Sequence, residues 1–258
     1  MELSEGTAMI PFPDQYHCPS RLETLTRMDQ LLVYRERITE DRLAEVCCGI
    51  KPVNRYFVKD GMGNMVFSII EDSECCDRQC YGVGHSFTMH VTDHSNQEVI
   101  RMVHPSVCTA CSSHELEVQS PPGTTVGYVR QNWHVCLPKF TLDNERGEPA
   151  VKIAGPCIGC TCCTDENFEL VSLNDAAIDG SFGKITKHFS CCGSDADFEI
   201  RFPRNMDVKM KATTLGACIL IDSMYYTSQK ASLLCVCLSV ALGYWQCLNW
   251  AQRHQRLI

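Results

Sequence analysis

Four carboxylates near one another carry the most specific chemistry in this chain. Asp195, Asp197 and Glu199 alternate, and Asp207 follows. A hard cation such as calcium needs several oxygen ligands at close range, and carboxylates supply them. Phe198, Ile200 and Phe202 alternate with Asp197, Glu199 and Arg201. A strand here places two carboxylates on one face, with Asp195 in line. The same alternation also fits a solvated strand face that binds nothing. An EF-hand loop is excluded, because Ile200 holds its glycine position and Met206 its closing glutamate position.

Sulfur is the second chemical resource. The chain has 19 cysteines, and several are adjacent, as at Cys47 and Cys48, Cys75 and Cys76, Cys162 and Cys163, and Cys191 and Cys192. Adjacent cysteines seldom pair with each other, and a cytosolic chain is kept reduced, which argues against a disulfide framework. The run Cys157-x-x-Cys160-x-Cys162-Cys163 has spacing that suits zinc, and Cys75, Cys76 and Cys80 could add ligands. No histidine pair of zinc-finger spacing accompanies them, so zinc is the weaker reading. Fatty acylation of exposed cysteines and plain thiols without a role stay open beside it.

Other chemistries are excluded. The sequence has no GxxxxGK[ST] phosphate loop, no GxSxG elbow and no HExxH zinc motif. ATP-driven pumping and hydrolysis therefore have no visible site. The net charge is −8, which offers no basic field to hold nucleic acid. The acidic beginning, MELSEGTAMIPFPDQYHCP, lacks a charged-then-apolar signal pattern, so the chain is expected to start in the cytosol.

The elements that must position these residues read as β-hairpins. Tyr56 to Val58 lead into a turn at Asp60 to Asn64, and Val66 to Ile69 follow. Phe87, Met89 and Val91 alternate before Asp93 to Asn96. Leu116 and Val118 run into Pro121-Pro122-Gly123. Phe140 and Leu142 lead to Asp143 to Gly147, and Val151 and Ile153 follow. This period of two, punctuated by turn residues, predicts a mainly β protein. Arg21 to Val33 reads as a short amphipathic helix or turn. Hairpin, cysteine cluster and strand then recur at an offset of roughly 80 to 84 residues. Two similar halves closing one barrel fit this repeat, since closure removes exposed strand edges.

Ala212 to Tyr226 interrupts the β pattern. At about 14 residues, this apolar run suits a buried core helix rather than a bilayer span. A lone apolar helix after hairpins predicts a barrel wrapped around a helix, with Leu215, Ile219, Leu220, Ile221 and Met224 as its core or membrane face. Residues 1–16 read as a disordered lead. Residues 227–258 form an apolar tail whose uncharged stretch, Ala231 to Ala251, is long enough to span a bilayer. Spanning the membrane and docking on the protein both remain open for it.

At several stretches the chain resembles the phospholipid scramblase family. They are CPSRLETLTRMDQLL (18–32), EDSECCDRQC (71–80), PPGTTVGYVRQNWHVCLPKFTL (121–142), GPCIGCTCC (155–163), FGKITKH (182–188) and DADFEIRFPRNMDVKMKATTLGACILID (195–222). The resemblance covers residues 17–226 and implies a closed tubby-like β-barrel threaded by a C-terminal apolar helix. It implies ATP-independent, calcium-stimulated movement of phospholipids in both directions between leaflets. The calcium segment it implies falls on Asp195, Asp197, Phe198, Ile200, Phe202 and Asp207. Here an asparagine after Asp197 is missing, and Asn205 stands where an aspartate is usual, which implies a weak site. The acylated cysteine block is thinned to Cys108 and Cys111, with Cys75, Cys76, Cys160, Cys162 and Cys163 as further lipidation candidates. Residues 183–188 resemble a nuclear-import segment.

The expected function is a phospholipid scramblase, not an enzyme, attached to the cytoplasmic face of the plasma membrane by one span or by acyl chains. Membrane phospholipids are its expected partners. A single apolar helix gives a headgroup no polar route through hydrocarbon, so transport would need self-association or the tail. The rival is a tubby-like binding or regulatory module that moves no lipid.

Overall fold

The computed structural model describes residues 21–36, 52–81, 84–107, 113–134, 137–156, 164–173, 182–189, 196–203 and 205–226. The expected lead, the tail and several cysteine clusters lie outside them.

Twelve antiparallel strands close into one barrel in sequence order, with β1 (Gln30–Arg35) hydrogen-bonded to β12 (Phe198–Arg201). Between them run β2 (Arg55–Asp60), β3 (Met65–Asp72), β4 (Phe87–Thr92), β5 (Glu98–His104), β6 (Glu115–Gln119), β7 (Thr125–Asn132), β8 (Lys139–Asn144), β9 (Pro149–Ala154), β10 (Glu166–Ser172) and β11 (Gly183–Lys187). Alternation explains the wall. Leu31, Val33, Tyr56, Val58, Met89, Val91, Leu116 and Val118 point inward and are buried, while their neighbours face outward.

The interior is filled by α3 (Val208–Ile221), which continues as a π-helical turn over Asp222–Tyr226. Every residue from Lys211 to Ser223 is buried. A helix apolar on all sides must be enclosed. Its rise of 1.5 Å per residue gives about 21 Å, close to the about 20 Å of a six-residue strand, so helix and wall match in length. Leu215, Ile219, Leu220 and Ile221 are fully buried and Met224 partly so. Gly216 lets the helix approach the wall, since a Cβ there would lie 2.9 Å from Val118 and 3.3 Å from Leu116.

The helix enters at one end of the barrel, the floor, and leaves at the other, the mouth. At the floor, Lys209 Nζ lies 3.1 Å from Glu145 in the β8–β9 turn. At the mouth, Asp222 meets Tyr56 at the start of β2. Three floor turns share one design. Oδ1 of Asp60, Asp93 or Asn144 accepts the N–H groups two and four residues on. Each is followed by a left-handed residue, Gly63, Asn96 or Gly147.

Two boundaries differ from the sequence reading. Arg21 to Val33 is not one helix. Only Glu23–Thr26 is helical, as α1, because Leu31 and Val33 are drawn into the barrel and pair with both β2 and β12. The apolar helix also begins earlier, at Val208, where the Asp207 carbonyl accepts the Lys211 N–H at 2.9 Å. The repeat has a structural meaning. Tyr56 in β2 and Phe140 in β8 are six strands apart in a barrel of twelve, so each copy builds half the wall.

Candidate functional site

The mouth gathers most of the buried polar side chains, and a chain of hydrogen bonds links them. Asp222 is 2% exposed. It accepts from the Tyr56 hydroxyl at 2.8 Å and lies 3.5 Å from Arg35 Nη1. Burial and the Asp222 charge push the Tyr56 hydroxyl well above the usual tyrosine range. Arg35 donates to Asn54, whose backbone N–H donates to Glu71 Oε2 at 2.9 Å. Glu71 Oε1 meets His85 Nε2 at 3.1 Å. Burial opposes the Glu71 charge, but hydrogen bonds from His85, Ser73 and Asn54 outweigh it and hold the carboxyl below its ordinary range.

The chain continues through histidines. His104 Nδ1 lies 3.0 Å from the His85 carbonyl, and His104 Nε2 lies 3.0 Å from His114 Nδ1. Phe87 stacks on His104 at 4.7 Å between centroids. Burial, with His114 as neighbour, lowers His104 to about 4, and burial lowers His114 as well. Both rings are therefore neutral at pH 7 and form an imidazole–imidazole hydrogen bond. The Gln131 N–H donates to the His114 carbonyl at 2.8 Å, and the Gln131 side chain reaches Tyr225 in the π-helical turn. Tyr226 donates to Glu166. The turn is thus tied to β7 and β10 and, through Asp222, to β2.

A second anchor holds the floor. Lys211 is fully buried, and its Nζ donates to the carbonyls of Leu25, Thr26 and Met28 at 3.2, 3.1 and 2.7 Å. The Phe202 ring lies 5.2 Å away. Burial lowers its pKa, and Asp29 opposes that.

Among the described residues, the carboxylates expected to hold calcium do not converge. Asp197 stands at the mouth and Asp207 at the floor, exposed, with β12 between them. Asp195 lies outside the described residues. Asp197 accepts the Arg35 N–H at 2.9 Å and pairs with Lys187 at 3.3 Å. Glu199 faces outward but is covered. It pairs with Arg201, accepts from Gln30 at 2.7 Å and lies 3.2 Å from His188. Among the described residues no group of three or more acids, histidines or cysteines is arranged to hold a metal ion. Asp197 and Glu199 therefore do not fit a calcium loop, since their oxygens already serve protein cations and donors. Phe198, Ile200 and Phe202, implied by the resemblance, are core residues.

Of the sulfur candidates, Cys75 and Cys76 are exposed in α2 (Cys75–Tyr81), between β3 and β4. Cys108, Cys111, Cys160, Cys162 and Cys163 lie outside the described residues. The nuclear-import-like stretch 183–188 is β11 with His188 after it. Its Ile185 is core and its Lys187 is engaged by Asp197, so it is a barrel strand rather than an open basic patch. Among the described residues no helix is long and apolar enough to cross a membrane.

Sequence reasoning missed Arg35, Tyr56, Glu71, His85, His104, His114 and Lys211. The signal for several was parity. Glu71 follows Phe67 and Ile69 in phase, and His104 follows Ile100 and Met102, so each is an inward position occupied by a polar residue.

The Scramblase family model matches residues 9–228. The chain belongs to that family. It is 43% identical over 231 residues to "Phospholipid scramblase 1" of Mus musculus, covering 86% of this chain and 68% of that one. It is 44% identical over 219 residues to "Phospholipid scramblase 2" of Bos taurus, covering 81% and 72%. It is 34% identical over 237 residues to "Phospholipid scramblase family member 5" of Homo sapiens, covering 87% and 85%. No solved structure matches the chain. The resemblance read from residues 17–226 is borne out, and so is the closed barrel around a helix.

Proposed function

We propose that this protein is a phospholipid scramblase, a membrane-attached protein that lets phospholipids cross between leaflets in both directions without ATP. The observation that carries this reading is the family match over residues 9–228, which contains every strand and α3. The barrier is the transfer of a charged headgroup through hydrocarbon. The barrel interior is no route, because α3 fills it and its side chains from Lys211 to Ser223 are buried. Lipid must therefore move along the outside of the barrel, along the tail, or between associated copies. The site of action is the cytoplasmic face of the plasma membrane.

Attachment rests on two signals, since one acyl chain alone binds only marginally. Acyl chains on Cys108 and Cys111, with Cys75, Cys76, Cys160, Cys162 and Cys163 as further positions, supply one. The tail at 231–251 supplies the other. The charge of −8 gives no general attraction to anionic lipid, so electrostatics does not replace them. Calcium is a weak ligand in this reading. The pairing of Asp197 with Lys187 and of Glu199 with Arg201 supports an affinity no tighter than millimolar, since a cation would have to displace both.

The plugged barrel favours a second reading, a tubby-like module that binds at the membrane and moves no lipid. Purified full-length protein in vesicles carrying fluorescent phospholipid separates the two. Transport makes label in the inner leaflet accessible to an external quencher, without ATP. A protein that is folded and vesicle-bound but leaves the inner label protected refutes the scramblase reading.

A further inference from the structure

We propose that the outer wall of β1, β2 and β3 is the interface of a two-fold dimer of this chain. The dimer goes beyond the scramblase reading and holds whether or not the protein moves lipid.

Every second side chain of a barrel strand faces outward, and on a wall in water these positions are polar. Most strands obey. Thr88, His90 and Thr92 face out on β4, and Glu115, Glu117 and Gln119 on β6. Val103 and Val171 are single exceptions, set opposite Glu117 and Lys152. Three adjacent strands break the rule together. Leu32 and Tyr34 face out on β1, Phe57 on β2, and Met65 and Ile70 on β3. Register joins them into one patch. Tyr34 stands opposite Phe57, Lys59 lies between Leu32 and Met65, and Ile70 is diagonal to Phe57. Six large apolar side chains are exposed among the described residues, and three sit on this β2–β3 hairpin: Met62 at 90%, Met65 at 54% and Ile70 at 48%. Single exposed apolar residues are ordinary, but a contiguous patch marks an interaction surface.

The charges on the patch select its occupant. Asp60 is spent on its own turn, where it accepts the Met62 and Asn64 N–H groups, and Arg55 lies 3.9 Å from Glu36. That leaves Lys59, whose Nζ stands 4.8 Å over the Tyr34 ring near the floor, and Asp72, whose side chain is 81% exposed at the mouth. The patch is therefore positive at one end and negative at the other. An anionic bilayer would attract Lys59 and repel Asp72, and hydrocarbon would strip both of water. A second copy of the same wall fits both ends. A two-fold axis in the contact plane, running across the strands, exchanges floor end and mouth end. Each copy's Lys59 then meets the Asp72 of the other, and the apolar side chains between them cover one another. An isologous contact makes this pair twice. The patch is three strands wide, about 10 Å, and about 17 Å long from Met65 to Ile70. A contact of that size belongs to the small, weak class, so the dimer forms in proportion to concentration.

Charge exchange tests both the surface and its symmetry. Full-length protein carrying a donor or an acceptor dye at its N-terminus is mixed in detergent that keeps the tail dispersed, and energy transfer is followed as protein concentration rises. Parent copies are expected to show transfer that grows with concentration. K59D mixed with itself brings like charges together twice, and so does D72K mixed with itself. Each is expected to associate about tenfold more weakly. K59D donor mixed with D72K acceptor restores both opposite-charge pairs and is expected to regain the parent's association. F57K/I70K, with the parent's far-UV spectrum, is expected to lose it. Both charged positions are on the surface, so the exchange reads the contact even where F57K/I70K does not fold. A parent with no concentration-dependent transfer overturns the proposal. So does a K59D and D72K mixture as weak as either variant alone, or a folded F57K/I70K that associates like the parent. A monomeric parent that sediments with phosphatidylcholine vesicles, and a folded F57K/I70K that does not, would make the wall a lipid face and overturn the dimer as well. Lipid transport is read separately in vesicles, and its absence beside a restored mixture counts against transport and leaves the dimer standing.

Discussion

Truncating Leu220 to alanine tests whether α3 is the core of the barrel or a helix that lipid could hold. Leu220 is fully buried in a helix that packs against β6, β7, β8 and β12. Its neighbours along the helix are buried too, and the wall is hydrogen-bonded all the way round, so it cannot collapse onto a lost side chain. A buried leucine cut to alanine costs about 3 to 5 kcal/mol where the site cannot close. For a domain of this size each kcal/mol moves Tm by about 2 to 4 °C, so the shift is about 6 to 20 °C. Leu220→Asp adds an unpaired carboxylate and should cost several kcal/mol more, enough to keep the chain out of the soluble or detergent-extracted folded fraction. The assay is thermal unfolding of the full chain followed by far-UV circular dichroism, in detergent that keeps the tail dispersed. A helix lying in lipid or detergent would lose little barrel stability from either change. Leu220→Ala melting with its parent, or a folded Leu220→Asp with unchanged Tm, refutes the enclosed helix.

The histidine pair predicts a loss of stability in acid. Folding lowers the pKa of His104 to about 4, from about 6.5 for an unfolded histidine. The unfolded chain therefore binds more protons below pH 6.5, and stability falls as pH drops from about 6.5 to about 4, by about 3 kcal/mol from this one group. Tm measured across that range should fall for the parent and less steeply for His104→Asn; parallel curves would reject this origin. Calorimetry should find calcium bound in the millimolar range. Micromolar affinity that survives Asp197→Ala would show that the acidic segment is not the ligand.

The wall was legible because its code is local. Inward Tyr56, Val58, Met89, Val91, Leu116 and Val118 alternate with outward residues, and turns such as Asp60 to Gly63 carry their own signal. The enclosed helix was legible from its length and its lack of a polar face. Asp197 and Glu199 were found as carboxylates, but their partners were not, because Lys187 lies on the neighbouring strand β11 and Gln30 on β1, which reaches β12 only when the barrel closes. The same holds for Arg35 and Asp222, which are separated by almost the whole barrel sequence and meet only when α3 has passed through it. Spacing along the chain tells which groups share a strand face, not which groups a neighbouring strand supplies. That is why an alternating acidic run that looks ready for a cation is, once the barrel closes, largely occupied by the protein's own donors. The cysteines show the opposite case. Their clusters look scattered in sequence, yet antiparallel order sends alternate connections to opposite ends, so the strands that flank each cluster between β1 and β12 meet at the end where α3 leaves the wall.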